Sequence, residues 1–258
     1  MPTISIITPV YEGGDAHLHE VRATLENQVL PAGWSLQWVV QEDGLTGQPL
    51  DPLPVASWIS TGVGRHGGAA RARNLALHRV TGQLVRCLDA DDLLPDDEAL
   101  ARDIDLLIAQ PHLGWCVSPA IDLLPDGTMR PGPNDPPPGQ LPPGVLADGL
   151  RADQLQVVGT SMTVYTELLH IVGGWPALPA TEDVAVMLAC EAVADGWMQE
   201  KPGEIYRKHP QQSTARPEHH ALEERAARIE VLLARADALR RTGWRWSPDR
   251  RRIAASGS

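Results

Sequence analysis

Phenylalanine is absent from the 258 residues, and lysine occurs only as Lys201 and Lys208. Without Phe, the core has to be built from Trp, Leu, Val and Ala. The eight Trp are then packing residues by default, and few are left to face a ligand. Positive charge is also short. Lys and Arg total 22 against 33 Asp and Glu, a net charge of -11. That excludes nucleic-acid binding, which needs a basic face to displace phosphate counterions. An acidic chain that takes a phosphorylated ligand must bring local Arg residues or a metal ion as countercharge. No apolar run approaches the roughly 20 residues that span a bilayer, so no integral membrane segment is expected. The opening MPTISIITPVYEGG has no basic region and too short an apolar stretch for a signal peptide. Cysteine is sparse too. Cys87, Cys116 and Cys190 form no C-x-x-C pair and read as reduced core thiols of a cytoplasmic protein.

What the chain does have is alternation. Short apolar runs at 4–8, 36–41, 55–60 and 83–88 read as strands. Helical patterns at 16–28, 67–80 and 96–109 fall among them, the last preceded by Pro95. Strand and helix in turn predict a parallel α/β sheet with crossover helices. Ligands of such sheets sit at the carboxyl ends of the strands. Further on, 115–124 reads as a strand closed by the turn Pro125-Asp126-Gly127. The proline density of 131–144 excludes a helix or central strand and predicts a surface loop. A short strand at 161–165 and a helix at 181–194 follow. A long helix at 218–241 then carries an apolar stripe and offers a face for a homodimer. The tail 249–258 is expected to be loose.

The strongest chemical signal is Leu88-Asp89-Ala90-Asp91-Asp92, directly after a buried strand. Three carboxylates this close repel one another unless water or a cation neutralises them. On an extended segment Asp89 and Asp91 would point the same way. Oxygen ligands suit Mg²⁺ or Mn²⁺, which bridge a carboxylate to substrate phosphates. The plainer alternative is an acidic patch ahead of the helix that begins near Asp96. A second signal competes. Gly62-Val63-Gly64-Arg65-His66-Gly67 matches G-x-G-x-x-G after a strand, with Asp89 about twenty residues on, as an NAD(P)-dependent Rossmann oxidoreductase requires. Against it, the fingerprint belongs on the first strand, and a triple carboxylate repels a pyrophosphate unless a metal intervenes. The Arg residues that follow Gly68 open a helix, where fixed charge and dipole together favour a diphosphate.

Seven elements in order carry a family resemblance. They are Ile6-Ile7-Thr8-Pro9-Val10-Tyr11, Gln41-Glu42-Asp43-Gly44, Gly68-Ala69-Ala70-Arg71-Ala72-Arg73-Asn74, the Asp89 cluster, Val172-Gly173-Gly174-Trp175, Thr181-Glu182-Asp183 and Tyr206-Arg207-Lys208-His209-Pro210-Gln211-Gln212-Ser213. Over residues 3–215 the chain resembles the family 2 glycosyltransferases. The resemblance implies a GT-A fold: a mostly parallel, Rossmann-like sheet flanked by helices, with a smaller acceptor-side region and a C-terminal helix. Residues 1–110 would be the nucleotide-binding half, 111–215 the acceptor-side half, and 216–258 the C-terminal helix and tail. It implies a nucleoside diphosphate sugar donor, with UDP the commonest carrier, a divalent Mn²⁺ or Mg²⁺, and inversion at the anomeric carbon. The acceptor would be a small molecule or a lipid-linked one.

Residue roles follow from the same resemblance. Pro9, Val10, Tyr11 and Glu12 would lie against the nucleoside, and Asp43 would bind the base. Arg73, with Arg71, would sit near base and diphosphate. Asp89 would contact the ribose, Asp91 the metal, and Asp92 the donor sugar or metal shell, with Ala90 among them. Gly174 and Trp175 match the acceptor-side loop, although Trp175 reads equally as core. Asp183 matches the general base, a carboxylate at a helix start facing a cleft, with Glu182 as the alternative. His209 would reach the diphosphate or metal. His17, His19, His66, His219 and His220 have no motif behind them. A non-catalytic sugar-nucleotide-binding module stays open as a further reading, beside a nucleotidyltransferase, for which the first loop lacks an Arg.

Overall fold

A computed structural model describes residues 1–132, 134–210, 212 and 221–248. The tail 249–258, the start of the last helix near Glu218, His219, His220, Gln211 and Ser213 lie outside these.

Eleven strands and seven helices appear among the described residues. The first half runs β1 (Thr3–Val10), α1 (Leu18–Glu26), β2 (Ser35–Glu42), β3 (Ile59–Gly62), α2 (Ala69–Ala76), β4 (Leu84–Cys87) and α3 (Ala99–Ala109). Then come β5 (Leu113–Val117), β6 (Ala120–Leu123), β7 (Met129–Pro131), β8 (Gly139–Gln140), α4 (Val145–Arg151), β9 (Thr163–Tyr165) and α5 (Thr166–Ile171). The chain closes with α6 (Glu182–Val193), β10 (Asp195–Met198), β11 (Glu204–Arg207) and α7 (Leu222–Arg241). Eight strands form one sheet in the order β3-β2-β1-β4-β9-β5-β10-β8, and β11-β6-β7 form a small second one. Strands β3, β2, β1 and β4 are mutually parallel, as are β5 and β10. Strand β9 enters antiparallel between β4 and β5.

Both faces of the central strands are buried, so their sequences are mostly apolar rather than alternating, with Ser5, Thr8 and Arg86 buried among them. On one face Ile4, Ile6, Trp38, Val40 and Leu84 pack on Leu18, Val21 and Leu25 of α1 and on Leu100, Ile104 and Leu107 of α3. On the other, Ile7, Val39, Val85 and Trp115 pack on α5, α6 and α7. Trp38 and Trp115 are fully buried and supply the bulk that Phe would otherwise give.

Four expectations need correction. The third strand forms at Ile59–Gly62, not 55–60, because it pairs in register with Trp38–Gln41 of β2. The run 115–124 breaks at Ser118-Pro119 into β5 and β6, which belong to different sheets. The helix expected over 67–80 is shorter, with a 3-10 turn at Leu77–Arg79 completing it. The Pro-rich 131–144 segment is not purely loop. Pro131 and Gly139-Gln140 lie in edge strands, where proline is tolerated.

Candidate active site

Strands β1, β2 and β4 end side by side, and the loops that leave them meet α2 and α6. Asp89 and Asp92 do not lie on an extended segment. Asp92 N–H donates to Asp89 O at 3.2 Å, so the cluster is a turn, and its three carboxylates diverge. Asp89 accepts from Arg73 Nη2 at 2.6 Å. Asp91 Oδ2 lies 2.7 Å from His209 Nε2. Asp92 is fully buried and accepts from the Arg207 backbone N–H at 2.9 Å, away from the cleft. Burial, with the nearby Glu204, Asp91 and Asp89 charges, pushes the Asp92 carboxyl well above the usual carboxylate range. It therefore anchors β11 and does not face a donor sugar.

Arg73 links the acidic turn after β4 to the start of α6. Its side chain is 3% exposed, and its second nitrogen, Nη1, donates to Glu182 Oε1 at 2.5 Å. Burial opposes its charge, but Asp89, Glu182 and Asp183 outweigh that and hold the guanidinium firmly protonated. Glu182 and Asp183 open α6 in the first turn, behind Thr181, whose φ of 63° is left-handed. Glu182 takes the Arg73 ion pair. Asp183 lies over Gly159, where any Cβ would come within 2.6 Å of its Oδ2. Burial raises the pKa of Asp183, Arg73 lowers it and Asp89 raises it, with a net upward shift that makes the carboxylate a better base. A small, mostly enclosed cavity of about 10 Å³ is lined by Asp183, Cys87, Gly159, Met162, Val164 and Trp175 among others. Burial pushes the Cys87 thiol up to about 12, so it is no nucleophile.

Other expected contacts are placed differently. The Asp43 carboxylate accepts from the Gly67 and Gly68 backbone N–H groups at 2.7 and 2.8 Å, with His66 Nδ1 at 2.8 Å. It holds the 62–68 loop instead of standing free for a base. The same bonds occupy amides that a dinucleotide pyrophosphate would need, and the loop follows the edge strand β3. The Rossmann fingerprint is therefore not built as a cofactor cradle. Pro9 and Val10 end β1, and Val10 is buried, while Tyr11 and Glu12 are exposed. Tyr11 packs its ring on Gly14, closing a turn whose Gly14 N–H donates to Tyr11 O at 2.8 Å. Ala90 is buried, and Arg71 is half-buried with its stem against Gly67. Trp175 is 95% buried by its 5% exposure, so core packing takes it and no sugar-stacking face is left. Its backbone is gripped by Asn74, with Nδ2 donating to Trp175 O at 2.6 Å and Trp175 N–H donating to Oδ1 at 3.0 Å. Gly174, at φ 63°, has room for no side chain, because a Cβ would meet Asn74 Oδ1 at 2.3 Å.

Sequence reading missed two supports. His17 lies with its ring 6.3 Å from that of His209 and pairs with Glu20 at 2.7 Å, and Glu20 takes Arg207 at 2.8 Å. Arg86, fully buried on β4, pairs with Asp103 at 3.0 Å and reaches Glu204 at 3.4 Å. An Arg inside the run Leu84–Cys87 was the available signal, since a buried charge must find partners.

A metal fits the donor set only in part. Among the described residues no three His, Cys, Asp or Glu converge on one point. Asp91 and His209 offer a carboxylate and an imidazole, and Mg²⁺ sites commonly take one or two protein ligands and complete themselves with substrate phosphates and water.

This architecture, a large mostly parallel sheet flanked by helices, is the GT-A fold. Residues 62–165 match the family model for glycosyl transferase family 2. No curated protein matches. The chain is similar to TarS residues 1–349 from S. aureus in complex with UDP. Identity is 18% and the TM-score 0.68, covering 92% of this chain and 65% of that one. The same fragment with UDP-GlcNAc matches at 18% identity and TM-score 0.68, covering 93% and 70%. The mannosyltransferase PcManGT from Pyrobaculum calidifontis, in complex with GDP-Man and Mn²⁺, matches at 19% identity and TM-score 0.58, covering 92% and 69%. The chain thus spans about two thirds of the TarS fragment.

Proposed function

We propose that the protein transfers a sugar from a nucleoside diphosphate donor, UDP first among carriers, to an acceptor hydroxyl, inverting the anomeric carbon. Residues 1–110 hold the donor and 111–215 the acceptor, a small molecule or a lipid-linked one. The observation that carries this reading is that Arg73 joins Asp89, in the turn after β4, to Glu182 at the start of α6 beside Asp183, while Asp91 of the same turn meets His209. Structures similar to this chain hold UDP, UDP-GlcNAc and GDP-Man with Mn²⁺ at the same fold.

Inversion needs one carboxylate to take the acceptor proton as its oxygen attacks, while the diphosphate departs on the opposite side. Asp183 is that base. Its raised pKa favours proton uptake, and the Glu182–Arg73 pair leaves it the free member of the two acids at the helix start. Asp91 and His209 would hold Mn²⁺ or Mg²⁺, which neutralises charge on the diphosphate when bound. Arg71, half-buried beside the Gly67 turn, adds local positive charge. No described helix is long and apolar enough to cross a membrane.

A thermal-shift screen of nucleoside diphosphates and their sugars, with and without Mn²⁺, tests the donor class. One nucleotide should stabilise the protein only when metal is present. Stabilisation by NAD(P) without metal would sink the reading in favour of an oxidoreductase.

A further inference from the structure

Arg73 lies on α2, Asp89 in the turn after β4, and Glu182 in the first turn of α6. Its guanidinium is 3% exposed, with one terminal nitrogen 2.6 Å from Asp89 and the other 2.5 Å from Glu182. Its Nε is buried without a hydrogen-bond partner among the described residues. An arginine enclosed in this way presents no face to a diphosphate. We propose that Arg73 is a positioning residue that locks the base-bearing start of α6 to the donor-side acid, and not a ligand of the donor.

Several observations converge on that role. The planar fork sets one terminal nitrogen on each carboxylate in a fixed geometry, which the flexible point charge of lysine does not supply. One residue further along α2, Asn74 grips the backbone of Trp175 through two hydrogen bonds, so the same helix also holds the segment leading to α6. Asp183 stands next to Glu182 in that first turn, and its position over Gly159 leaves little freedom to compensate for movement of the helix. The charged and titratable groups facing the strut are Cys87 and Asp89 from the β4 side and Glu182 and Asp183 from α6. Arg73 lowers the pKa of both α6 acids against the larger effect of burial. Weakening the strut should therefore raise the pKa of the base and carry the acidic limb of the rate profile to higher pH.

The inference rests on Asp183 as base, so the test includes a readout that needs no substrate. Thermal unfolding of the full chain as wild type, Arg73→Lys, Glu182→Gln and the double variant forms a cycle. If the two groups act as one unit, the double variant melts within about 2 °C of the worse single variant. Full additivity of the two losses overturns the proposal. Should Arg73→Lys fail to fold, Glu182→Gln with Asp89→Asn gives the same cycle, because the guanidinium joins the two acids, and additivity again overturns it. In turnover, both Arg73→Lys and Glu182→Gln should lower kcat roughly tenfold or more, with donor KM within about threefold of wild type. The acidic limb of kcat should also move up in Arg73→Lys. A donor KM that rises tenfold at unchanged kcat would make Arg73 a donor ligand and end the proposal. If the wild type transfers no sugar at all, the proposed function fails, while the unfolding cycle still decides the strut.

Discussion

At the scale of single residues, the site separates two neighbouring acids by environment. Glu182 is tied to Arg73, and Asp183 is left over the bare backbone of Gly159. Asp183→Asn keeps the shape and removes the proposed base. Transfer should fall by about 10²–10⁴-fold with the fold intact, as read by steady-state turnover beside circular dichroism. Gly159→Ala tests the seat of the base rather than the base. The new methyl would press on Asp183 Oδ2, and a displacement near 1 Å in such a group costs on the order of 10²-fold. Turnover in Gly159→Ala within twofold of wild type would show that Asp183 has slack. The sequence marked Asp183 and Arg73 through motif order, but it gave no sign of Gly159, whose partner lies 24 residues away. Asp43, expected to bind the base, instead holds the Gly67 and Gly68 amides. Its bonds to the Gly67 and Gly68 amides depend on loop geometry that only the folded chain creates.

Among the elements, β11 does the most for the site. Leu93 and Ile205 exchange backbone hydrogen bonds at 3.1 and 2.8 Å, and this brings Arg207 and His209 to the acidic turn. Behind that junction, Arg86 on β4 gathers Asp103 of α3 and Glu204 of β11, and Thr160 adds a 2.5 Å bond to Glu204. Arg86→Met would leave Asp103 and Glu204 buried without their cation. Breaking a buried pair in this way costs about 3–5 kcal/mol, and urea unfolding should show a loss of that size. A loss below about 1 kcal/mol would mean that the remaining bonds to Thr160, Thr163 and Gln199 satisfy the acids alone. None of this network follows from local pattern. A strand of four residues such as β11 has too short a period to announce its sheet, and its partner β6 lies over 80 residues earlier.

At the scale of the whole molecule, buried acids set the pH dependence. Burial lifts Glu204 from its ordinary value of 4.5 to about 7, partly offset by Arg86 and Thr160. Glu182, Asp183, Glu191 and Asp92 shift the same way, with burial the first cause in each. An acid whose folded pKa is raised favours the fold most when protonated. The stability is fully present below the unfolded pKa and is lost as pH rises through the folded one. For Glu204 that window runs from about 4.5 to about 7 and is worth roughly 3 kcal/mol. Melting temperature should therefore fall as pH is raised from 5 to 8, and Glu204→Gln should flatten the decline. A melting temperature that rises across this range would contradict the assignment.

The sequence by itself determined the parallel α/β half, the order of strand and helix, the acidic cluster after β4 and the acids that open α6. These are local facts. Apolar runs bury themselves, prolines and glycines end elements, and a carboxylate at a helix start is written in adjacent residues. Only the tertiary structure decided which acid meets which cation, that Trp175 is core, that β9 enters antiparallel and that Asp92 turns inward. Each of those rests on pairs far apart in the chain. Arg73 and Glu182, separated by 109 positions, meet at 2.5 Å because α2 and α6 pack on the same face of the central sheet, and no window of sequence contains both.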